Sequence, residues 1–152
     1  MNSLLRRLFF RIIYCRPLTR VIDRYFVDDS LGLYGERLAA RHLLKQGYYI
    51  TAQRFLDRFG EIDLIAVDKN TVVFVEVKTR GRISSYLPAE AVNEEKQDRI
   101  LRASKHYLKL NNLTECRTRF DVIAIICSAP GAMAVITHYK RAFEPRPSFE
   151  IF

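Results

Sequence analysis

The sequence predicts an α/β fold, a mixed β-sheet with helices against it, and three observations carry the prediction. Two segments rich in β-branched and aromatic residues, 61–68 and 71–78, flank Asp68-Lys69-Asn70, a run with the composition of a turn, and so read as a hairpin. Two longer segments repeat apolar residues at helical spacing between capping residues and stop signals. A nearly all-apolar run from Val122 to Ile126 has the composition of a strand covered on both faces. At 152 residues, with 49% hydrophobic and 12% aromatic content, the chain is long enough for one domain with a proper core.

The elements follow in order. Residues 1–31 form a basic amphipathic extension: Leu4, Leu5, Leu8, Phe9, Ile12 and Ile13 fall on one side of a helix, opposite Arg6, Arg7 and Arg11, until Pro17 intervenes. Asp28-Asp29-Ser30 is rich in capping residues, and the first helix of the domain is expected from about Leu33 to Gln46, ended by Gly47. Glu36 then falls in its first turn, where negative charge suits the helix dipole. Three strands follow, Tyr48 to Phe55, Glu61 to Asp68 and Thr71 to Lys78, and Gly81 to Pro88 reads as a loop. Asn93 caps a second helix reaching about Asn111, with Ile100, Leu101, Tyr107 and Leu108 on its inner face and Arg99, Arg102, Lys105 and Lys109 outside. The strands Arg119 to Cys127 and Ala132 to Tyr139 close the domain at about residue 143, and 144–152 is an irregular tail.

Charge is unevenly spread. Of the net +8, residues 1–24 hold +5, six arginines against Asp23, which leaves the rest mildly basic at +3. The extension suits an anionic membrane surface, a nucleic-acid clamp, or packing on its own domain or a partner subunit. No segment approaches the ~18 apolar residues of a spanning helix. Arg11 interrupts the only stretch that resembles a signal peptide, so export is not expected. Cys15, Cys116 and Cys127 are odd in number and lack zinc or redox spacing, which suits reduced thiols in the cytoplasm. His42, His106 and His138 show no ligand spacing and read as structural or solvated.

The hairpin carries the chemistry. If Lys69-Asn70 is a two-residue loop, Asp68 pairs with Thr71, and counting outward sets Asp63 opposite Glu76, with Lys78 and Glu61 on the same face. Like charges directly opposite each other destabilise a hairpin. A divalent cation between Asp63 and Glu76 would turn that repulsion into ligation; Mg²⁺ takes a few carboxylates and keeps several waters. Lys78 would then stabilise charge on a phosphate or orient and deprotonate an attacking water. The plainer reading, a solvated sheet edge whose carboxylates pair with Lys78 and Arg80, stands beside it. Ile65, Val67, Val72 and Phe74 make the same face apolar toward the turn, which favours the cation site.

The order of elements, with Gly35-Glu36 and Leu38-Ala39-Ala40 on the first helix, Gly60-Glu61-Ile62-Asp63-Leu64-Ile65-Ala66 and Val73-Phe74-Val75-Glu76-Val77-Lys78-Thr79-Arg80 on the hairpin, then Glu90-Ala91-Val92, Lys96, Arg119-Phe120-Asp121-Val122 and Ala142-Phe143, resembles the PD-(D/E)XK nuclease superfamily. Within it the chain is similar to the YraN-like bacterial family, itself similar to archaeal Holliday-junction resolvases. The resemblance covers about residues 32–143 and implies a restriction-endonuclease-like core. It further implies that Asp63 and Glu76 are metal ligands, that Glu36 completes a Mg²⁺ or Mn²⁺ site from the first helix, and that Lys78 is the catalytic lysine. Glu61 is either a supporting or second-metal carboxylate or a partner of Lys78 or Arg80. Arg80, Arg82, Lys96, Gln97, Arg99 and Arg102 are candidate DNA contacts, with Lys96 and Gln97 at a helix N-terminus suited to a phosphate or to a solvated first turn. Asp121 reads as structural.

Three functions compete at this point. The first is a metal-dependent deoxyribonuclease acting on DNA, branched or damaged, for which symmetric junction cutting calls for a homodimer. The second is a nucleic-acid-binding protein on a nuclease scaffold without turnover. The third is a membrane- or partner-docking protein acting through residues 1–24.

Overall fold

The computed structural model describes residues 30–81 and 92–145. Most of the basic extension, the 82–91 segment with Arg82, and the end of the tail lie outside the described residues. The elements are α1 (Leu31–Lys45), β1 (Tyr49–Asp57), β2 (Gly60–Asp68), β3 (Thr71–Arg80), α2 (Glu94–Leu110), β4 (Arg117–Ile126) and β5 (Val135–Phe143). The five strands lie in the order β1-β2-β3-β4-β5. All neighbours are antiparallel except β3 and β4, which are parallel, and α2 lies in the connection between them as a parallel crossover requires. This mixed α/β architecture is consistent with a restriction-endonuclease-like core.

Helix α1 begins earlier than its periodicity suggests. The Ser30 hydroxyl accepts the Leu33 N–H at 3.4 Å and starts the helix at Leu31, so Glu36 stands in the second turn and not the first. The helix dipole therefore offers no account of that carboxylate. Gly47, at φ +84°, ends the helix where an L side chain would be strained. On α2, Asn93 Oδ1 accepts the Lys96 N–H at 2.9 Å, and Ile100, Leu101, Tyr107 and Leu108 are buried as their spacing predicts.

The sheet separates two cores. On one side Ile65, Val67, Val72, Phe74 and Phe120 pack with the inner face of α2; on the other Leu64, Ala66, Val73, Val75, Ile123 and Ile125 pack with Ala39, Ala40 and Leu43 of α1. Strand alternation puts neighbours on opposite sides, and β4 is covered on both faces. Beside Asp63 the alternation breaks. Ile62 and Ile65, three residues apart, share the α2-side core, and so do Ala52 and Phe55 on β1. Between them Arg54 sits at φ +48°, opposite Asp63 by the flanking pairs Gln53↔Leu64 and Phe55↔Ile62. Both strands thus share one kink.

Helix α1 approaches β3 closely at Gly35. A Cβ there would lie 1.8 Å from the Thr79 hydroxyl oxygen and 2.9 Å from its Cβ, so only glycine lets the helix settle onto the strand. The neighbouring Glu36 is carried toward the charged end of the sheet by this contact.

The opposite end holds a charge network beneath the C-terminal end of α1. Asp121, fully buried, accepts from Arg119 Nε at 2.9 Å, His138 Nε2 at 2.9 Å and the Arg141 N–H at 3.0 Å. Arg119 also donates to Asp68 and to the Tyr48 hydroxyl, each at 2.9 Å. Although burial alone would raise the Asp121 carboxyl, these donors hold it below its ordinary value. The structural role expected of Asp121 follows from this arrangement.

Gly35→Ala is expected to destabilise the protein by roughly 1–3 kcal/mol through overpacking against Thr79, read as a lowered urea midpoint; an unchanged midpoint would show that α1 is free to lift. Asp121→Asn turns one acceptor oxygen into an amide facing the donors of Arg119 and His138, and a loss of about 3–5 kcal/mol is expected in urea at pH 7. The depressed Asp121 pKa supplies stability above the unfolded value and loses it as pH falls through the folded one, so the wild type should weaken in acid more steeply than the variant.

Candidate functional site

The register runs as counted from the turn: Asp68 pairs with Thr71, and the ladder continues to Leu64↔Val75. There it stops. At the next position the Asp63 carboxylate itself accepts the Val77 N–H, at 2.6 Å, so a side chain occupies the place of a strand carbonyl. The kink turns Asp63 across the end of the sheet, between the helix carrying Glu36 and the strand carrying Glu76.

Glu76 lies on the α2 side and is 4% exposed. Its Oε1 takes the Lys78 ammonium at 2.8 Å, and Lys96 Nζ of α2 stands 3.3 Å from Oε2. The Lys96 contact is close enough for charge pairing but lacks hydrogen-bond geometry, and Oε2 is buried without any hydrogen bond among the described residues. The pairing of Lys78 with Glu76 is the one anticipated for a plain sheet edge; the burial of Glu76 is not.

Glu61 pairs with neither Lys78 nor Arg80. Its partner is Arg54, whose Nε donates to Oε1 at 3.0 Å and lies 3.9 Å from Glu36 Oε2. Arg54 was not anticipated from the sequence, where only the broken alternation between Ala52 and Phe55 marks it.

Electrostatically, the site is overloaded with carboxylates. Burial, then Glu76 and Glu36, push Asp63 up to about 7 against the lowering effects of the Val77 N–H and Lys96. Glu36 is raised as well, first by burial and then by Glu61 and Glu76, although Arg54 lowers it. The three carboxylates thus feel one another. Among the described residues, however, no group of three acid, imidazole or thiolate side chains closes into a cage for a metal ion. Mg²⁺ does not require one, since it takes one or two carboxylates and keeps its waters. An orphaned buried oxygen on Glu76, two carboxyls with raised proton affinity and an all-oxygen donor set fit a hard divalent cation.

The outer residues divide. Lys96 faces Glu76 as described, and the Gln97 amide donates to the Val92 carbonyl at 2.8 Å and fixes the entry to α2. Arg80, Arg99 and Arg102 are exposed; Arg99 also lies 3.7 Å from Glu95 and flanks Gly60. His106 and His138 bind carboxylates outside the site, Asp57 and Asp121, each at 2.9 Å. Asp57 also accepts the Phe59 and Gly60 N–H groups, which shapes the β1–β2 turn beside Glu61. Cys116 and Cys127 are free thiols, and no helix among the described residues is long and apolar enough to cross a membrane.

Comparison with known proteins adds a family. The model for the uncharacterised protein family UPF0102 matches residues 35–125, which include Glu36, Asp63, Glu76 and Lys78. A UPF0102 protein of Caldanaerobacter subterraneus is 44% identical over 115 residues, covering 75% of this chain and 94% of the relative. One of Trichlorobacter lovleyi is 40% identical over 118 residues, 77% of this chain and 92% of the relative. Another, of Chlorobium phaeobacteroides, is 46% identical over 101 residues, 66% of this chain and 80% of the relative.

The raised Asp63 pKa predicts a pH-dependent stability. Between about pH 4, the ordinary carboxyl value, and about pH 7 the folded chain keeps a proton that the unfolded chain has released, so stability falls as pH rises. In EDTA at pH 8, Asp63→Asn, which retains an acceptor for Val77, is expected to exceed the wild type by roughly 1–3 kcal/mol, with the gap closing toward pH 4. Thermal unfolding across that pH range checks it, and a variant no more stable than the wild type at pH 8 would refute the electrostatic account.

Proposed function

The chain belongs to the uncharacterised protein family UPF0102, and we propose that it is a metal-dependent deoxyribonuclease hydrolysing phosphodiester bonds, with branched DNA as its substrate. The observation that carries the reading is the pairing of a buried, incompletely bonded Glu76 with an Asp63 driven up to about 7, with Lys78 2.8 Å from Glu76. Such a concentration of unfavourable charge is costly for a surface that only binds, and perturbed carboxyls of this kind gather at reactive sites.

In this reading Asp63 and Glu76 would hold Mg²⁺ or Mn²⁺, with Glu36 contributing from α1. When bound, the cation supplies neutralisation of phosphate charge and an acidified water. The protein's own groups do the rest. Asp63 stays aligned because the Val77 N–H fixes one of its oxygens, so its other oxygen keeps a constant direction. Lys78, tethered to Glu76 and 30% exposed, reaches outward to donate to a phosphate oxygen or to orient the attacking water. Water attacks phosphorus in line with the leaving 3′ oxygen, and the products are a 5′ phosphate and a 3′ hydroxyl. Lys96 offers a second ammonium on the α2 side, and Arg99 and Arg102 on the outer face of α2 suit the DNA backbone. A cytoplasmic location goes with this reading, since free Cys116 and Cys127 suit a reducing compartment.

Cleavage of junction, flap, duplex and single-stranded DNA in Mg²⁺ or Mn²⁺ tests the proposal. Asp63→Ala, Glu76→Ala and Lys78→Ala are each expected to lose at least about 10²-fold in rate. Cutting that survives Asp63→Ala or Glu76→Ala would sink it, and salt-sensitive DNA binding with no cleavage of any substrate would leave a binding protein on a nuclease scaffold.

A further inference from the structure

Arg54 combines three features that the nuclease reading does not use. It is a non-glycine residue at φ +48° inside a strand, a left-handed conformation that L side chains rarely adopt and that persists only where the surroundings impose it. It lies opposite Asp63 at the kink shared by β1 and β2. Its guanidinium spans two carboxylates, 3.0 Å from Glu61 and 3.9 Å from Glu36, while its side chain remains 47% exposed.

The two contacts are unequal. The Glu61 contact is a hydrogen bond; the Glu36 contact is charge pairing at the limit of the distance range. Exposure also makes the guanidinium free to swing, because a solvated arginine loses little when one partner is withdrawn. Glu36 has a stronger pull to answer, since Glu61 and Glu76 both crowd it and burial disfavours its charge. A dication near Asp63 would compete with Arg54 for Glu36 directly.

We infer that Arg54 is a resident counter-ion, which holds Glu36 and Glu61 while the cluster carries no divalent cation and releases Glu36 when one binds, so that Arg54 weakens and thereby sets the cation affinity of the site. The inference rests on the proposal that the cluster takes such a cation. Arg54 is a positioning residue here: it acts on the site through Glu36.

Mn²⁺ binding to the full-length protein, read by electron paramagnetic resonance of the free ion, tests it apart from catalysis. Removing one positive charge next to a dication gives an expected three- to tenfold tighter binding in Arg54→Gln. Arg54→Lys keeps the charge and is expected to stay near the wild type. Arg54→Gly suits the backbone at φ +48°; it should match the Gln variant in affinity while melting at least as high as the wild type, which separates the charge from the backbone strain. Adding Glu36→Gln should erase the gain. Wild-type binding with no tightening in either Arg54→Gln or Arg54→Gly overturns this inference alone, and a Gln variant that fails to fold leaves Arg54→Gly to decide. Absence of Mn²⁺ binding by the wild type at millimolar concentration overturns both this inference and the cation reading beneath it.

Discussion

The hydrogen bond from the Val77 N–H to the Asp63 carboxylate, at 2.6 Å, ends the β2–β3 ladder and organises what lies beyond it. A strand that stops pairing leaves amide groups exposed, and a buried amide without a partner costs about as much as a lost hydrogen bond. Asp63 supplies that partner from its side chain, and in doing so it is drawn across the sheet's end into the company of Glu76 and Glu36. The kink at Arg54 is the same event seen on β1. With Ala52 and Phe55 both packed on the α2 side, the chain must pass through a conformation that breaks alternation, and Arg54 adopts it. The like charges thus gather because the sheet's geometry requires an acceptor there.

The two ends of the sheet show what separates a satisfied carboxylate from a crowded one. Asp121 is fully buried, yet its carboxyl lies below its ordinary value while that of Asp63 is driven up. The difference lies in donors. Arg119, His138 and the Arg141 N–H satisfy both oxygens of Asp121, whereas Asp63 has one backbone donor and two acidic neighbours. Burial sets the cost of a charge, and the local donors decide whether that cost is met. Within one small fold the same residue type is a rivet at one end and an unmet charge at the other.

Much of this was legible in the sequence, for identifiable reasons. The turn at Lys69-Asn70 fixes the β2–β3 register by its length alone, and counting gives the pairs from Asp68↔Thr71 to Leu64↔Val75, although the ladder ends before Asp63 and Glu76 pair as counting expects. The buried face of α2 follows from helical spacing. Three features were not accessible to such counting. The start of α1 depends on the Ser30 hydroxyl, which moved Glu36 out of the first turn. Counting also assumes unbroken alternation, so it missed the kink at Asp63, the role of Arg54 and the true partner of Glu61. Lys96 is 20 residues from Glu76 and meets it only because α2 crosses from β3 to β4, a contact set by tertiary packing and not by any local pattern.

The charge balance of the site constrains how a polyanion would reach it. With all groups ionised, Glu36, Glu61, Asp63 and Glu76 outnumber Arg54, Lys78 and Lys96, and each lysine is already turned toward Glu76. A phosphate approaching this surface meets no surplus positive charge. Protonation of Asp63 brings the cluster only to neutrality. On the proposed reading, a dication would change the sign of the cluster, so cation and DNA binding would reinforce each other. Gly35 belongs to this coupling as well. By letting α1 lie against Thr79 it keeps Glu36 within electrostatic reach of the cluster.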